Sequence, residues 1–215
     1  CCHEVFGTQK ILAYALKEFC GITVDRRMIK TNVLGINHFT WIDRAEYQGR
    51  DLFQLYERLV EKYGETGLEG VEKNHWANKE FTSGNKVKFD LFKRYGLIAA
   101  AGDRHLAEFC PPWYLKNPEV VASWGFMLTT VDKREQMLEE RLKRSRALVS
   151  GEEAFKFQVT GEDGVYQIKA LLGLEDFMCN VNLPNTGQIQ GLPKGAVVES
   201  NAFFTRNRII PVQAG

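Results

Sequence analysis

Thr31-Asn-Val-Leu-Gly-Ile-Asn-His-Phe-Thr-Trp-Ile42 is the most strand-like stretch of the chain. Its β-branched and aromatic side chains suit a pleated surface, and Gly35 within it marks a bend or a close backbone approach. The pattern predicts a strand or one arm of a bent hairpin, with His38 in it or at its end. Upstream, Ile11, Leu12, Ala15, Leu16 and Phe19 share one face at helical spacing, which predicts a helix over residues 8–19 capped by Thr8. The run Cys1-Cys2-His3-Glu4 then falls just before a helix N-terminus.

Downstream, Leu52, Leu55, Tyr56, Leu59 and Val60 give a second amphipathic helix over residues 51–62, followed by a Gly- and Glu-rich surface loop over residues 64–70. A third helix is predicted over residues 86–95. The small-residue run from Leu97 to Gly102 leads into Asp103-Arg104-His105 and Glu108, with Pro111-Pro112 closing the segment. Residues 132–148 are heavily charged but keep Met137, Leu138, Leu142 and Leu148 as an apolar stripe, and a further helix is expected over residues 165–174. Asn182-Leu-Pro-Asn185-Thr-Gly187 reads as turn chemistry and Ala196-Val-Val-Glu199 as a strand. The sum is an α+β fold, with helices around a small mixed sheet, forming one domain over residues 1–215.

Composition narrows the function classes. The 215 residues include 28 basic and 27 acidic side chains, a net charge of +1 that leaves no electrostatic footprint for nucleic acid. No apolar run reaches the roughly 20 residues of a membrane span, and no signal peptide opens the chain, so a cytoplasmic location is the expectation and a membrane partner is not. Five cysteines, odd in number and irregularly spaced, fit reduced thiols better than a disulfide framework. A start on Cys1-Cys2 without methionine and an end on Pro211-Val-Gln-Ala-Gly215 give the expectation of a fragment.

Taken singly, the ionisable residues leave alternatives open. A cysteine at a helix N-terminus favours its thiolate, yet a lone cysteine also packs as a small hydrophobe. His38 in an apolar strand could be a hydrogen-bonded core residue as readily as a ligand. Asp103, Arg104, His105 and Glu108 would shift one another's protonation in a shared cleft, or could lie on a solvated loop. Cys2 with one histidine would make at most a transition-metal site with open positions.

The order of these blocks is more specific. Cys2-His3-Glu4-Val5, Asn32-Val-Leu-Gly-Ile-Asn37-His38, Gly102-Asp-Arg-His-Leu-Ala-Glu-Phe109 and Asn182-Leu-Pro-Asn-Thr-Gly-Gln188, with Ala196-Val-Val-Glu199, together resemble glycoside hydrolase family 4 and span nearly the whole chain. Cys-His-Glu-Val is similar to the form found in the family's α-galacturonidases, whereas a serine in its third place would point to α-galactosidases.

The resemblance implies a C-terminal domain of the lactate dehydrogenase and family 4 type, and hydrolysis by redox elimination instead of the usual two-carboxylate route. NAD⁺ takes a hydride from C3 of the sugar, the acidified C2 proton is removed, the glycosidic bond breaks by elimination, water adds and the ketone is reduced again. A divalent metal, usually Mn²⁺, acts as Lewis acid on the sugar oxygens. By resemblance Cys2 and His38 are metal ligands, Asp103 is the general base with Tyr95 competing, and His3 is the acid with Glu4 as alternative. Glu4, Asn37, Arg104 and His105 contact substrate, Arg104 being suited to a uronate carboxylate through paired hydrogen bonds.

The implied substrate is a sugar acid or oligouronide, and the implied assembly a homodimer or homotetramer. No Gly-x-Gly-x-x-Gly occurs, so the N-terminal Rossmann domain is expected to be absent and the isolated chain to be inactive. The rival readings are α-galactosidase or α-glucuronidase specificity within the family, a lactate or malate dehydrogenase C-terminal domain, and a structural or oligomerisation module without catalysis.

Overall fold

The computed structural model describes residues 3–69, 83–157 and 161–214, with His3 described through its backbone alone. It is an α+β fold built on a seven-stranded sheet. The elements are α1 (His3–Cys20), β1 (Lys30–Ile36), β2 (Phe39–Tyr47), β3 (Arg50–Asp51), α2 (Phe53–Tyr63), α3 (Lys86–Tyr95), β4 (Ile98–Ala99), α4 (Asp103–Phe109), α5 (Pro111–Tyr114), α6 (Pro118–Ser123), α7 (Val131–Ser150), α8 (Gly164–Leu171), β5 (Phe177–Pro184), β6 (Val197–Thr205) and β7 (Arg208–Pro211). The sheet runs β3-β2-β1-β6-β5, with β4 beside β2 and β7 beside β6. Every described strand pair is antiparallel, unlike the parallel sheet of a dinucleotide-binding domain.

Residues 31–42 form a hairpin, not one arm of one. Gly35 has φ +144°, and a Cβ there would lie 2.4 Å from the Phe39 carbonyl oxygen, so only glycine lets β2 fold back this closely. The turn carries Asn37 and His38 at its tip, His38 taking a left-handed φ of 65° that is unusual for a residue with a side chain.

Ile11, Leu12, Ala15 and Leu16 of α1 are fully buried against Val33, Ile42, Leu59 and Ile98. Burying a side chain of this size is worth about 1.5–3 kcal/mol each, which fixes the helix face by sheer apolar area. That helix begins five residues earlier than Thr8, and this corrects the expected cap. Thr8 lies inside α1, fully buried, and its hydroxyl donates to the Ala100 carbonyl at 3.0 Å. His3 and Glu4 are therefore in the first turn of α1 instead of before it.

A second cluster gathers Val87, Leu91, Leu106, Ala107 and Tyr114 beneath β4, and a third packs Ala170 of α8 on Cys179, Ala202 and Phe204. Arg26, buried, ties the third to the first: it donates to Asp163 Oδ1 and to the Gly161 carbonyl, both at 2.9 Å, over the Phe6 ring.

Other expectations shift in detail. Asp103-Arg104-His105 opens a helix, not a loop, and Pro111-Pro112 begins α5, consistent with proline's preformed φ at a helix start. Asn182-Leu-Pro184 belongs to β5, and the turn starts only at Asn185. Cys1, Cys2, His75 and Trp76 lie outside the described residues. Among the described residues, Cys20, Cys110 and Cys179 are free thiols, and no helix is long and apolar enough to cross a membrane.

Candidate active site and metal centre

Glu4 from the first turn of α1, His38 from the hairpin tip and His105 from the first turn of α4 meet at one place. One ligand atom of each lies within 4.8 Å of the other two. Glu4 is buried, and its Oε1 is in hydrogen-bond contact with His38 Nδ1. The imidazoles of His38 and His105 stack, with centroids 4.1 Å apart and planes 17° from parallel. Immediately beside them Phe39 stacks on Phe109 at 4.6 Å, so two successive residues of β2's entry pair with two residues one turn apart on α4. Sequence spacing alone links neither pair.

The geometry separates the roles of the two histidines. A carboxylate on one imidazole nitrogen fixes the tautomer and leaves the other nitrogen for a metal. Stacked, nearly parallel rings do not converge well on one ion, so His38 is the better ligand and His105 the better neighbour. Burial and the adjacent His38 both push the His105 pKa below its ordinary value, keeping that ring neutral at pH 7.

Two buried atoms here, Glu4 Oε2 and His105 Nδ1, have no hydrogen-bond partner among the described residues. The unpartnered Glu4 oxygen beside the His38 imidazole fits a divalent cation such as Mn²⁺, which takes oxygen and nitrogen donors, whereas His105 Nδ1 lies 3.8 Å from Glu108 Oε1. Cys2, expected as the other ligand, lies outside the described residues, as does the side chain of His3.

The remaining expected residues are placed unevenly. Arg104 is half-buried beside His105, and its Nη1 donates to Thr129 Oγ1 at 2.9 Å. Arg134 of α7 is close enough to oppose its charge. Asn37 is exposed at the hairpin tip, and its Oδ1 accepts from Asn182 Nδ2 in a long contact of 3.4 Å. Asp103 is fully buried at the start of α4, and its Oδ1 accepts from the Lys88 backbone N–H at 3.0 Å, capping the first turn of α3. Tyr95 sits at the opposite end of α3, exposed, its ring edge on Trp41 at 5.7 Å. Seven residues separate Lys88 from Tyr95, about 10 Å along a helix. No described contact joins Tyr95 to Glu4, His38 or His105.

Two residues escaped the sequence reading. Lys88 looks like one more polar position of an amphipathic helix, yet it is fully buried. Its Nζ donates to Thr8 Oγ1 at 3.0 Å and lies 3.3 Å from the Ala100 carbonyl, tying α1, α3 and the segment entering α4 together. Glu199 is buried behind the hairpin; its place in the last sequence block was the one available signal.

Residues 33–215 match the family 4 glycosyl hydrolase C-terminal domain. The chain belongs to glycosyl hydrolase family 4. Within that family it is 59% identical, over its whole length, to the α-galacturonidase of Thermoanaerobacterium saccharolyticum, covering 47% of that protein. The crystal structure of the Bacillus subtilis protein lplD superposes on all of this chain with a TM-score of 0.90 at 49% identity, the chain covering 49% of it. A 6-phospho-α-glucosidase from gut microorganisms, solved in complex with NAD and Mn²⁺, shares the fold at a TM-score of 0.66 and 15% identity; all of this chain and 46% of that one are covered. The chain therefore spans about half the length of the family 4 relatives it matches. Its described residues are the C-terminal family 4 fold, and the Rossmann domain is absent from them.

Proposed function

We propose that this chain is the metal- and sugar-binding half of an NAD- and Mn²⁺-dependent α-galacturonidase. The observation that carries the reading is the Glu4, His38 and His105 cluster, in which one ligand atom from each of three separate sequence blocks lies within 4.8 Å of the other two. The 59% identity to a protein named α-galacturonidase supports the substrate class.

His38 and Cys2 would hold the metal, with Glu4 fixing the His38 tautomer. When bound, the metal supplies Lewis acidity to the sugar oxygens and NAD⁺ supplies a hydride acceptor. Among the described residues there is no glycine-rich turn between a parallel strand and a helix to cradle a pyrophosphate, so NAD⁺ is assigned to the other half of the protein. The neutral ring of His105 accepts a hydrogen bond from a sugar hydroxyl, and Asn37 on the hairpin tip offers its amide to another. Arg104 meets the uronate carboxylate, with the charge of Arg134 adding to the field there.

Asp103 is the general base we favour over Tyr95, because it opens the helix that carries His105 whereas Tyr95 packs on Trp41 at the far end of α3. His3 is the proton donor to the leaving group, since Glu4 is engaged by His38. The free thiols support a reducing, cytoplasmic setting, and we expect the complete protein to self-associate as a homodimer or homotetramer.

The test is hydrolysis of di-galacturonic acid by the full-length protein with NAD⁺ and Mn²⁺, alongside Cys2→Ala and a 4-nitrophenyl α-galactoside control. Galacturonate released only with both cofactors, and lost in the variant, is the expected result. Activity on the galactoside alone would overturn the substrate class, and activity indifferent to NAD⁺ and metal would overturn the mechanism.

A further inference from the structure

The block Ala196-Val-Val-Glu199 has no role in the mechanism so far, yet it ends in a fully buried carboxyl group directly behind the hairpin that carries His38. Glu199 lies opposite Gly35 on β1 and opposite Asn182 on β5. Its Oε1 accepts from Asn180 Nδ2 at 2.6 Å, and its Oε2 lies 2.8 Å from Thr40 Oγ1. Thr40 Oγ1 is also 2.9 Å from the Ile36 carbonyl oxygen, the contact that closes the Ile36-Asn-His-Phe-Thr40 turn.

A hydroxyl carries one hydrogen. Were Glu199 ionised, the Thr40 hydroxyl would face two acceptors, Glu199 Oε2 and Ile36 O, with one proton between them. One oxygen would be left against a lone pair, an unfavourable contact. A proton on Oε2 removes the conflict: Glu199 donates to Thr40, Thr40 donates to Ile36 O, and Asn180 donates to Oε1. Every polar atom in the chain of contacts then has a partner.

We propose that Glu199 is a neutral carboxylic acid acting as a positioning residue, which, through Thr40, locks the turn that presents His38 to Glu4. Burial raises its affinity for a proton, and the negative charge of Glu4 on α1 pushes the same way, against the opposing hydrogen bonds from Thr40 and Asn180. Glu4 lies on the site side of the turn, in contact with His38, and Glu199 lies behind it, in contact with Thr40. The left-handed backbone at His38 is held from below by this relay instead of by its own preference.

The proposal rests on the reading of His38 as a site residue, and its test separates the two. Infrared spectra of the full-length protein near neutral pH should contain the carbonyl band of a protonated carboxyl that Glu199→Gln removes. The His38 ring signals in NMR spectra of histidine-labelled, metal-free protein should be unchanged in Glu199→Gln, whose amide can donate to Thr40 and accept from Asn180, and displaced in Glu199→Leu and in Thr40→Val. Mn²⁺ affinity should follow the same order, within about 3-fold of wild type for Glu199→Gln and lowered about 10–100-fold for Thr40→Val, the range for partners that orient a metal ligand. Absence of the band, or a Gln variant as perturbed as the Leu variant, would overturn the role of Glu199. Failure of His38→Ala to alter Mn²⁺ binding would overturn the metal reading while leaving the infrared and ring-signal results to decide the proton.

Discussion

Glu4 and His38 are 34 positions apart, one in the first turn of α1 and one on the β1–β2 hairpin tip, and they share a carboxylate–imidazole contact that is buried on the Glu4 side. A buried carboxylate is costly unless its charge is answered. His38 answers one oxygen, and Glu4 Oε2 has no hydrogen-bond partner among the described residues. This pair therefore orients a candidate metal ligand and leaves one carboxylate oxygen without a hydrogen bond beside it.

Removing that orientation should weaken metal binding without unfolding the domain. Glu4→Gln in the full-length protein should lower Mn²⁺ affinity about 10–100-fold by titration calorimetry. His38→Ala should abolish measurable binding. Unchanged affinity in both variants would disconnect this cluster from the metal.

Asp103 caps α3, and the catalytic role proposed for it can be separated from that cap by substitution. Asp103→Asn keeps an oxygen for the Lys88 amide, so the α3 cap survives, but it removes the base, and kcat should fall about 10²–10⁴-fold. Asp103→Ala loses the cap as well and should cost about 1 kcal/mol of stability in denaturant unfolding. Full activity in Asp103→Asn would move the base elsewhere, with Tyr95→Phe the next variant to assay.

Arg104 should decide substrate charge. Arg104→Met removes charge-assisted hydrogen bonds worth about 1.5–3 kcal/mol, so kcat/KM on di-galacturonic acid should fall roughly 10–150-fold while a neutral galactoside is affected far less. Equal losses on both substrates would assign Arg104 to the fold through its Thr129 contact.

Glu199 gives a pH signature. Its folded pKa is raised above the ordinary 4.5, chiefly by burial, so the folded state holds this proton more tightly than the unfolded chain. The associated stability is fully present below about pH 4.5 and is lost as pH rises through the raised folded value. Thermal unfolding of wild type and Glu199→Gln across that window should show the variant gaining relative to wild type as pH rises. A difference that stays flat with pH would contradict the raised pKa.

Gly35→Ala tests the hairpin. The new Cβ would sit 2.4 Å from a backbone oxygen, at a φ that side chains rarely adopt, and no flexible group can move aside. A loss of about 2 kcal/mol or more, read from the unfolding midpoint, is expected, with weaker metal binding because the same turn carries His38. Wild-type stability in this variant would mean that the two strands can separate without cost.

Periodicity and local chemistry determined much of this protein. Apolar spacing placed α2 over residues 51–62, within two residues of the observed Phe53–Tyr63, and the β-branched run from Thr31 to Ile42 located the hairpin, because an amphipathic stripe or a pleated face is encoded within a few residues of itself. The order of the blocks around His3-Glu4, Asn37-His38, Asp103-Arg104-His105 and Glu199 pointed to the family, and the comparison agrees. The tertiary structure decided what each residue touches. Thr8 reads as a cap in sequence, but its hydroxyl is satisfied by Ala100, 92 positions away, so the helix continues through it. Lys88 reads as solvated and is buried, because Thr8 and Ala100 come to its ammonium from other elements. Asp103 reads as part of a charged cluster in a cleft or on a loop, and its carboxylate caps another helix, while Glu4 and His105 become neighbours of His38 only once α1, the hairpin and α4 pack on one sheet. Helical and strand periods are properties of adjacent residues; hydrogen-bond partners and electrostatic neighbours belong to whatever long-range packing brings within a few ångströms.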